Sequence, residues 1–244
     1  NKIAVTIEEG LKLIQTQNVD LGVQGKGSIH YHPKGVMLVI GPFNFPVHLS
    51  HGHIIPALLA GNVCILKPSE KTPYSAQLYI EAAEEAGFPL GVIQLIQGNA
   101  DMGSRLCRHV RVDGILATCS TEVGIKIRKD VAEFPGKIVS LEMGGKNAAI
   151  VDEGADIENT ASALIRSAFL TTGQRCTALS RVYVKRNLLD ALVQRFHEMA
   201  KEIIISHPFD EEPKPFMGPL INNSSIEKFL RYAGIAQSEG ATEI

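Results

Sequence analysis

Short apolar runs that alternate with helix-like stretches are the feature that most limits the folds open to this chain. Strands that alternate with helices predict a parallel sheet with helices on both faces, so the sequence predicts an α/β fold. The strand-like runs cover residues 36–40, 63–66, 92–96, 112–117 and 138–141, and the helix-like stretches cover 51–59, 72–86, 101–108 and 121–132.

Capping residues and apolar spacing extend this pattern into a second unit, which begins with a strand-like run near 148–151. Thr72 and Pro73 are typical of a helix start, and Asn187 is expected to cap a later helix. Apolar residues of that later helix recur every three or four positions, which predicts one buried face. The other elements of the second unit are predicted as helices over 156–172, 188–204 and 225–238 and a strand over 179–184.

Composition and charge exclude several classes of protein. A chain of 244 residues with 20% charged residues is typical of a globular protein of one or two domains. The net charge is −2 with no basic cluster, so we expect no nucleic-acid surface. No apolar run reaches membrane-spanning length, and the start shows no signal-peptide pattern. The cysteines have neither metal-ligand nor disulfide-framework spacing, which favours a reducing, cytoplasmic location.

Cys176 lies on a glycine-marked turn between the helix predicted over 156–172 and the strand predicted over 179–184. A turn between two regular elements can present a side chain into a cleft. A thiol there is a candidate nucleophile, because a thiolate attacks a carbonyl carbon well. Taken alone, a cysteine is more often an inert core residue, so its partners decide between the two interpretations.

Three further motifs lie upstream of Cys176. They read Gly41-Pro42-Phe43-Asn44-Phe45-Pro46, Leu66-Lys67-Pro68-Ser69-Glu70 and Leu141-Glu142-Met143-Gly144-Gly145-Lys146. Each alone is compatible with ordinary turn chemistry. In this order and at these separations, the four motifs resemble the aldehyde dehydrogenase superfamily, and the similarity runs over nearly all 244 residues.

Two other segments narrow the resemblance to one subfamily. Most members of the superfamily carry an aromatic residue and a Lys in the helix after the Asn motif, whereas this chain reads Gly52-His53-Ile54-Ile55-Pro56. That run and Pro215-Phe216-Met217-Gly218-Pro219-Leu220-Ile221 are similar to the enzymes that oxidise N-succinylglutamate 5-semialdehyde in bacterial arginine catabolism.

The resemblance implies catalytic roles for three residues. Cys176 would be the nucleophile that forms a thiohemiacetal and then a thioester. Asn44 would hold the oxyanion together with the backbone N–H of Cys176. Glu142 would be the general base that hydrolyses the thioester, with partial burial beside Gly144 and Gly145 bringing its pKa near the operating pH. Read in isolation, Asn44 is equally an Asx-turn residue, and Glu142 a surface residue at a strand end.

The expected cofactor is NAD, although the G-x-G-x-x-G fingerprint is absent and the prediction rests on the resemblance. Lys67 and Glu70 follow a strand end, and the resemblance places both on the adenosine ribose. A carboxylate there would repel a 2′-phosphate, which favours NAD over NADP. Ser120 or Thr121 is suited to cap a helix whose N-terminus faces the pyrophosphate. The other predicted cofactor residues are Phe43, Ser69, Cys119 and Gly124.

Three histidines, His48, His51 and His53, invite a metal interpretation. Their offsets of three and five residues are poor for three ligands on one helix face, so we expect no metal site. In the subfamily interpretation, His51 or His53 contacts the substrate. Arg175 is a candidate partner for a substrate carboxylate, because a guanidinium binds a carboxylate bidentately.

The chain departs from the family pattern in two ways. It has Cys119 where the family has the Gly of Phe-Thr-Gly-Ser, and a side chain there is expected to displace the cofactor or slow hydride transfer. It also lacks the later Glu-x-Phe-Gly-Pro motif and starts at Asn1, so we expect a fragment. The resemblance divides it into an NAD-binding domain over 1–145, with an oligomerisation hairpin in the polar segment 16–32, and an incomplete catalytic domain over 146–244.

Three functions stay open at this point. The first is an NAD-dependent aldehyde dehydrogenase that acts on a small-molecule aldehyde and is a homo-oligomer when full length. The second is an acyl-phosphate reductase similar to glutamyl phosphate reductase, whose chemistry would not need Glu142 as a hydrolytic base. The third is an inactive remnant that binds only a nucleotide or a partner, which Cys119 and the early end of the chain favour.

Overall fold

The computed structural model describes residues 2–210 and 212–243, and the chain divides into two compact units between Met143 and Gly144. Among the described residues, no helix has the length and apolarity needed to cross a membrane.

The first unit is built on a five-stranded parallel sheet that follows a short antiparallel hairpin. The strands are β1 (Gln17–Asp20), β2 (Lys26–Ile29), β3 (Val36–Ile40), β4 (Val63–Lys67), β5 (Ile93–Leu95), β6 (Gly114–Cys119) and β7 (Ile138–Met143). The strand order in the sheet is β5-β4-β3-β6-β7, and β1 and β2 form the hairpin, within the segment 16–32 where a hairpin is predicted. The helices are α1 (Lys2–Leu13), α2 (Pro46–Leu59), α3 (Pro73–Glu85), α4 (Ala100–Arg108) and α5 (Thr121–Asp130).

Both faces of the sheet are covered, as the continuous apolar strand runs predict. Val39 of β3 packs into one core cluster with Ile54 of α2. Leu38, the preceding residue, points to the opposite face and packs with Cys107 of α4 and Ile127 of α5. Because successive side chains of a strand alternate, one strand contributes to both cores. The predicted α/β fold with helices on both faces is confirmed.

The second unit consists of a two-stranded parallel sheet and α-helices. Val151, Ala161, Leu164 and Leu192 form its core, and Phe196 packs against it from the apolar face of the helix predicted over 188–204. The elements are β8 (Asn147–Val151), α6 (Ile157–Phe169), β9 (Leu179–Val184), α7 (Leu189–Lys201) and α8 (Asn223–Ser238).

The structure corrects two predicted helix caps. Thr72 precedes α3 but makes no side-chain cap bond, and its hydroxyl is buried without a partner among the described residues. Asn187 lies inside a short 3₁₀ turn, so Leu188 rather than Asn187 precedes α7. Pro73 at the first position of α3 fixes a helical φ, which is sufficient for a helix start without the cap.

Helix α1 is not among the elements predicted from the sequence, and its apolar residues remain partly exposed, with Val5 58% exposed.

Candidate active site

The predicted site residues of the first unit gather at one edge of its sheet. β3 ends opposite Lys67 of β4, and β6 and β7 end opposite each other at Cys119 and Met143. The carboxyl ends of parallel strands meet at the same edge, where open α/β sheets bind ligands. Asn44 follows β3, and Glu142 is the next-to-last residue of β7, so both belong to this edge.

Glycine packing holds the start of the loop that carries Asn44. The N–H of Gly41 donates to the carbonyl of Lys67 over 3.0 Å. A Cβ on Gly41 would overlap the Oγ of buried Ser50, so a larger residue does not fit. Asn44 is half-buried, and its Oδ1 accepts a hydrogen bond from the N–H of Phe45 over 3.1 Å. That bond uses the oxygen of the amide, whereas an oxyanion would need its nitrogen.

Lys67 is buried although it is charged, with 4% of its surface exposed. Its Nζ donates to the carbonyl of Pro68 over 2.9 Å and lies 3.7 Å from Oε2 of Glu70. Burial lowers the pKa of Lys67, and the carboxylate of Glu70 opposes that shift. Glu70 itself is exposed over 57% of its side chain. The lysine is therefore held with its ammonium at the sheet edge.

Two other residues predicted at the cofactor contact Lys71. Ser69 Oγ accepts a hydrogen bond from the N–H of Lys71 over 3.3 Å. The Nζ of Lys71 lies 4.7 Å from the centroid of the Phe43 ring. These contacts order the loop after β4 against the loop after β3.

The turn between β6 and α5 shows which of the two predicted residues caps the helix. Ser120 precedes α5, and its Oγ accepts a hydrogen bond from the N–H of Val123 over 3.3 Å. Cys119 is half-buried and packs against the core, and burial raises the pKa of its thiol. Gly124 is buried, its N–H donates to the carbonyl of Ser120, and a Cβ there would overlap Met143. The contacts of Gly124 are thus those of a packing residue.

Glu142 is exposed, so the partial burial expected for it is wrong. It lies on β7, an edge strand of the sheet whose side chains alternate between exposed and half-buried. In the register of β6 and β7, Glu142 lies opposite Thr118 of β6. The Oγ1 of Thr118 lies 3.0 Å from Nε2 of His53. Gly144 and Gly145, which follow Glu142, belong to the second unit.

The three histidines of α2 make separate contacts. His51 Nδ1 lies 3.0 Å from the hydroxyl of Tyr79, and burial raises the pKa of that tyrosine to about 12. His48 is exposed and meets the ring of Phe45 edge-on. His53 contacts Thr118, as described above. Within the part of the chain that the structure describes, no group of three His, Cys, Asp or Glu side chains is arranged to hold a metal.

Cys176 occupies the first central position of a β-turn in the second unit. The N–H of Ala178 donates to the carbonyl of Arg175 over 3.2 Å, which closes the turn. Among the four cysteines, Cys176 alone is exposed. Burial raises the pKa of Cys64 to about 12 and that of Cys107 to about 11, so both are poor nucleophiles.

A left-handed segment precedes this turn. Thr171 and Thr172 have φ values of 59° and 57°, which ends α6 at Phe169 instead of at the predicted Thr172. This conformation is strained for β-branched residues, and such strain is often found at functional sites. Arg175 Nε donates to Thr171 Oγ1 over 2.9 Å, and Thr172 Oγ1 donates to the carbonyl of Gly218 over 2.8 Å. The segment 215–221 thus contacts the left-handed segment that precedes the turn of Cys176.

One residue that contacts the turn of Cys176 is absent from the residues predicted from the sequence. Asn147 donates from its side-chain amide to the carbonyls of Cys176 and Ala178. The one available signal was the Gly144-Gly145 pair, which suggested a closely approached backbone; a Cβ on Gly145 would lie 3.3 Å from the carbonyl oxygen of Cys176.

Comparison with known proteins supplies a family likeness. Residues 2–244 match the sequence profile of the aldehyde dehydrogenase family. The N-succinylglutamate 5-semialdehyde dehydrogenase of Novosphingobium aromaticivorans is 40% identical over 227 residues, which are 93% of this chain and 48% of the relative. The protein of the same name from Acinetobacter baylyi is 43% identical over 208 residues, 85% of this chain and 42% of the relative. The chain spans about half the length of the curated relatives it matches.

Solved structures show the same likeness. The NAD-dependent aldehyde dehydrogenase from Sinorhizobium meliloti superposes with a TM-score of 0.92 at 28% identity, over 98% of this chain and 48% of that one. The NAD⁺ complex of an aldehyde dehydrogenase from Bacillus cereus gives a TM-score of 0.92 at 31% identity, over 98% and 48% of the two chains. The resemblance drawn from the four motifs is confirmed.

Proposed function

Because this chain belongs to the aldehyde dehydrogenase family, we propose that its protein oxidises an aldehyde to a carboxylate with NAD as the cofactor. The proposed substrate is N-succinylglutamate 5-semialdehyde, since relatives at 40% and 43% identity carry that name. The observation that carries the chemistry is the exposed thiol of Cys176 on its β-turn, while the other three thiols are buried or half-buried.

In the proposed reaction, the thiolate of Cys176 attacks the aldehyde carbon, and a C–S bond forms. The amide of Asn44 and the N–H of Cys176 bind the resulting oxyanion, and one such donor lowers the barrier by about 3 kcal/mol. When bound, NAD would supply the hydride acceptor, and loss of hydride from this carbon would leave a thioester on Cys176. Glu142 removes a proton from a water molecule, the water oxygen attacks the thioester carbon, and the C–S bond breaks to release the acid and the thiolate.

The exposure of Glu142 supports this role. A general base for hydrolysis must contact water, and a side chain on an open edge strand is reached by solvent.

The residues of the first unit fit NAD. The ammonium of Lys67 has three donors and gives one to Pro68, so it retains capacity for a ribose hydroxyl. The first N–H groups of α5, behind the Ser120 cap, suit a pyrophosphate. The exposed carboxylate of Glu70 would repel a 2′-phosphate, which favours NAD over NADP. Phe43, Ser69 and Cys119 are proposed as neighbouring contacts.

Arg175 is the proposed partner of a substrate carboxylate, because it directly precedes Cys176 in the chain and its guanidinium is held in place by the bond to Thr171. His53 is the better of the two histidine candidates, since it contacts Thr118 near the sheet edge, whereas His51 contacts Tyr79 of α3. We further propose that the complete protein forms a homo-oligomer through the exposed hairpin of β1 and β2.

The test uses the complete natural protein and its Cys176→Ser and Asn159→Ala variants. NADH formation from N-succinylglutamate 5-semialdehyde is followed by absorbance, and NAD binding is measured by calorimetry. We expect Cys176→Ser to lose turnover and keep NAD binding, because it changes the nucleophile alone. Asn159→Ala, at an exposed position of α6 outside the proposed site, is the control, and we expect it to keep turnover.

Turnover retained by Cys176→Ser would refute the proposed chemistry. A wild-type protein that binds NAD without turnover would point to the inactive remnant. Reduction of an acyl phosphate with NADPH, in place of aldehyde oxidation, would point to the reductase.

A further inference from the structure

One side-chain amide holds the turn that carries Cys176. Asn147 Nδ2 donates over 2.7 Å to the carbonyl oxygen of Cys176 and over 3.0 Å to that of Ala178. A primary amide has two N–H donors, so both are used on this one turn. The two acceptor carbonyls belong to Cys176 and Ala178, so the amide bridges the part of the turn from its first central residue to its last residue.

A strand irregularity and a glycine bring Asn147 to this position. Asn147 pairs with Leu179, but the next residue, Ala148, pairs with Arg181, so the β9 strand has one extra residue at this point. Such bulges redirect side chains and occur often beside active sites. A Cβ on Gly145 would lie 3.3 Å from the carbonyl oxygen of Cys176 and 3.4 Å from Oδ1 of Asn147. Because Gly145 has no side chain, there is room for the hydrogen bond from Asn147 to the carbonyl of Cys176.

Because peptide groups are planar, these hydrogen bonds fix the orientation of Cys176. In a trans peptide, the C=O of one residue and the N–H of the next point in opposite directions. The bond from Ala178 to the carbonyl of Arg175 fixes the peptide before Cys176, and so directs the N–H of Cys176 out of the turn. The bond from Asn147 fixes the peptide after Cys176. With both planes fixed, the direction of the Cα–Cβ bond of Cys176 is fixed too.

We propose that Asn147 is a positioning residue for Cys176, which orients the thiol and the N–H of Cys176 without touching the substrate. The inference rests on the proposed role of Cys176 as the nucleophile. Acyl transfer needs the sulfur and the oxyanion donor in a defined geometry, whereas alkylation by a small reagent needs only an accessible thiolate. Loss of Asn147 should therefore separate the two reactions.

The experiment compares these reactions in the complete natural protein. With p-nitrophenyl acetate, the thiolate attacks the ester carbon and p-nitrophenolate leaves, so its release measures acylation of Cys176 without NAD. Iodoacetamide alkylation of the same thiol is followed by mass spectrometry of the Cys176 peptide. The variants are Asn147→Ala, Asn147→Asp, Asn147→Ser and Gly145→Ala, with the exposed Asn159→Ala of α6 as the control.

We expect acylation to fall about tenfold or more in Asn147→Ala and Asn147→Asp, because neither can donate to the two carbonyls. Alkylation should stay within about threefold, because the thiol remains exposed. Asn147→Ser, which keeps one donor, should recover part of the acylation rate. Gly145→Ala should reproduce the loss, and Asn159→Ala should behave as the wild type.

Wild-type acylation in both Asn147→Ala and Asn147→Asp would overturn the inference and leave the proposed function standing. Equal losses of acylation and alkylation, with a lowered melting temperature, would show a structural role only and also overturn it. If Asn147→Ala fails to fold, the rates of Asn147→Ser and Gly145→Ala decide. A wild-type protein whose Cys176 is not acylated would refute the proposed function itself.

Discussion

The two units of this chain hold their predicted site residues by different means. In the first unit, Leu38 and Val39 of the central strand are fully buried, each in a core on its own face of the sheet. In the second unit, the parallel pair β8 and β9 leaves Ile150 82% exposed and Tyr183 56% exposed. Parallel sheets are normally covered on both faces, and the first unit alone follows that rule.

The difference shows two ways to place a chemical group. The first unit places Lys67 and Glu142 through strand register, which depends on a large packed core. The second unit positions Cys176 through a few side-chain hydrogen bonds to its turn, chiefly from Asn147. Mutations should therefore damage the first unit through packing and the second through individual polar contacts.

The largest expected effect is Leu38→Ala. It removes a fully buried side chain from between β3 and the helices α4 and α5, and should lower the free energy of unfolding by about 2–5 kcal/mol. Urea unfolding of the 244-residue chain measures this. Ile150→Ala in β8 is the matched control, with an expected loss below ~0.5 kcal/mol because its side chain is mostly exposed. Equal losses would remove the contrast between the units.

A smaller effect is expected from Gly41→Ala at the loop that carries Asn44. The new methyl would overlap Ser50 Oγ, so the variant should lose about 1–3 kcal/mol of stability. Ser50→Ala should be neutral or stabilising, because this buried hydroxyl has no partner among the described residues. The double variant should then recover part of the loss. A double variant no more stable than Gly41→Ala would show that Ser50 is not the obstacle.

The smallest effect is expected on the surface of the second unit, from Glu158→Gln. The hydrogen bonds of Arg195 to Glu158 lower the pKa of that carboxyl. A folded pKa below the unfolded one gives stability that is present above the unfolded value and is lost as the pH falls through the folded value. Glu158→Gln should therefore lower the melting temperature slightly at neutral pH and not in acid. A loss that persists in strong acid would exclude the ion pair as its cause.

Much of the first unit was predictable because its signals are local. The alternation of apolar runs with helix-like stretches predicted β3 to β7 and their parallel sheet, and Ser120 was one of two candidate caps for α5. Helix ends were less predictable: Thr171 and Thr172 adopt left-handed backbone angles that nothing in two threonines suggests. The exposure of Glu142 was missed because it depends on β7 being an edge strand.

The catalytic candidates came from four short motifs in a fixed order, and their roles remain proposals. Asn147 had no such signal, since an asparagine at a strand start is ordinary in sequence. Its position depends on the one-residue bulge between β8 and β9 and on the missing side chain of Gly145.

The amino-acid sequence by itself determined the α/β class, the family and the residues with the chemistry to act, because side-chain type and local periodicity are properties of short segments. Tertiary structure alone decided which thiol is exposed, which glycine serves packing and which amide holds the turn of Cys176. Those depend on contacts between residues far apart in the chain, whose partners local sequence does not specify.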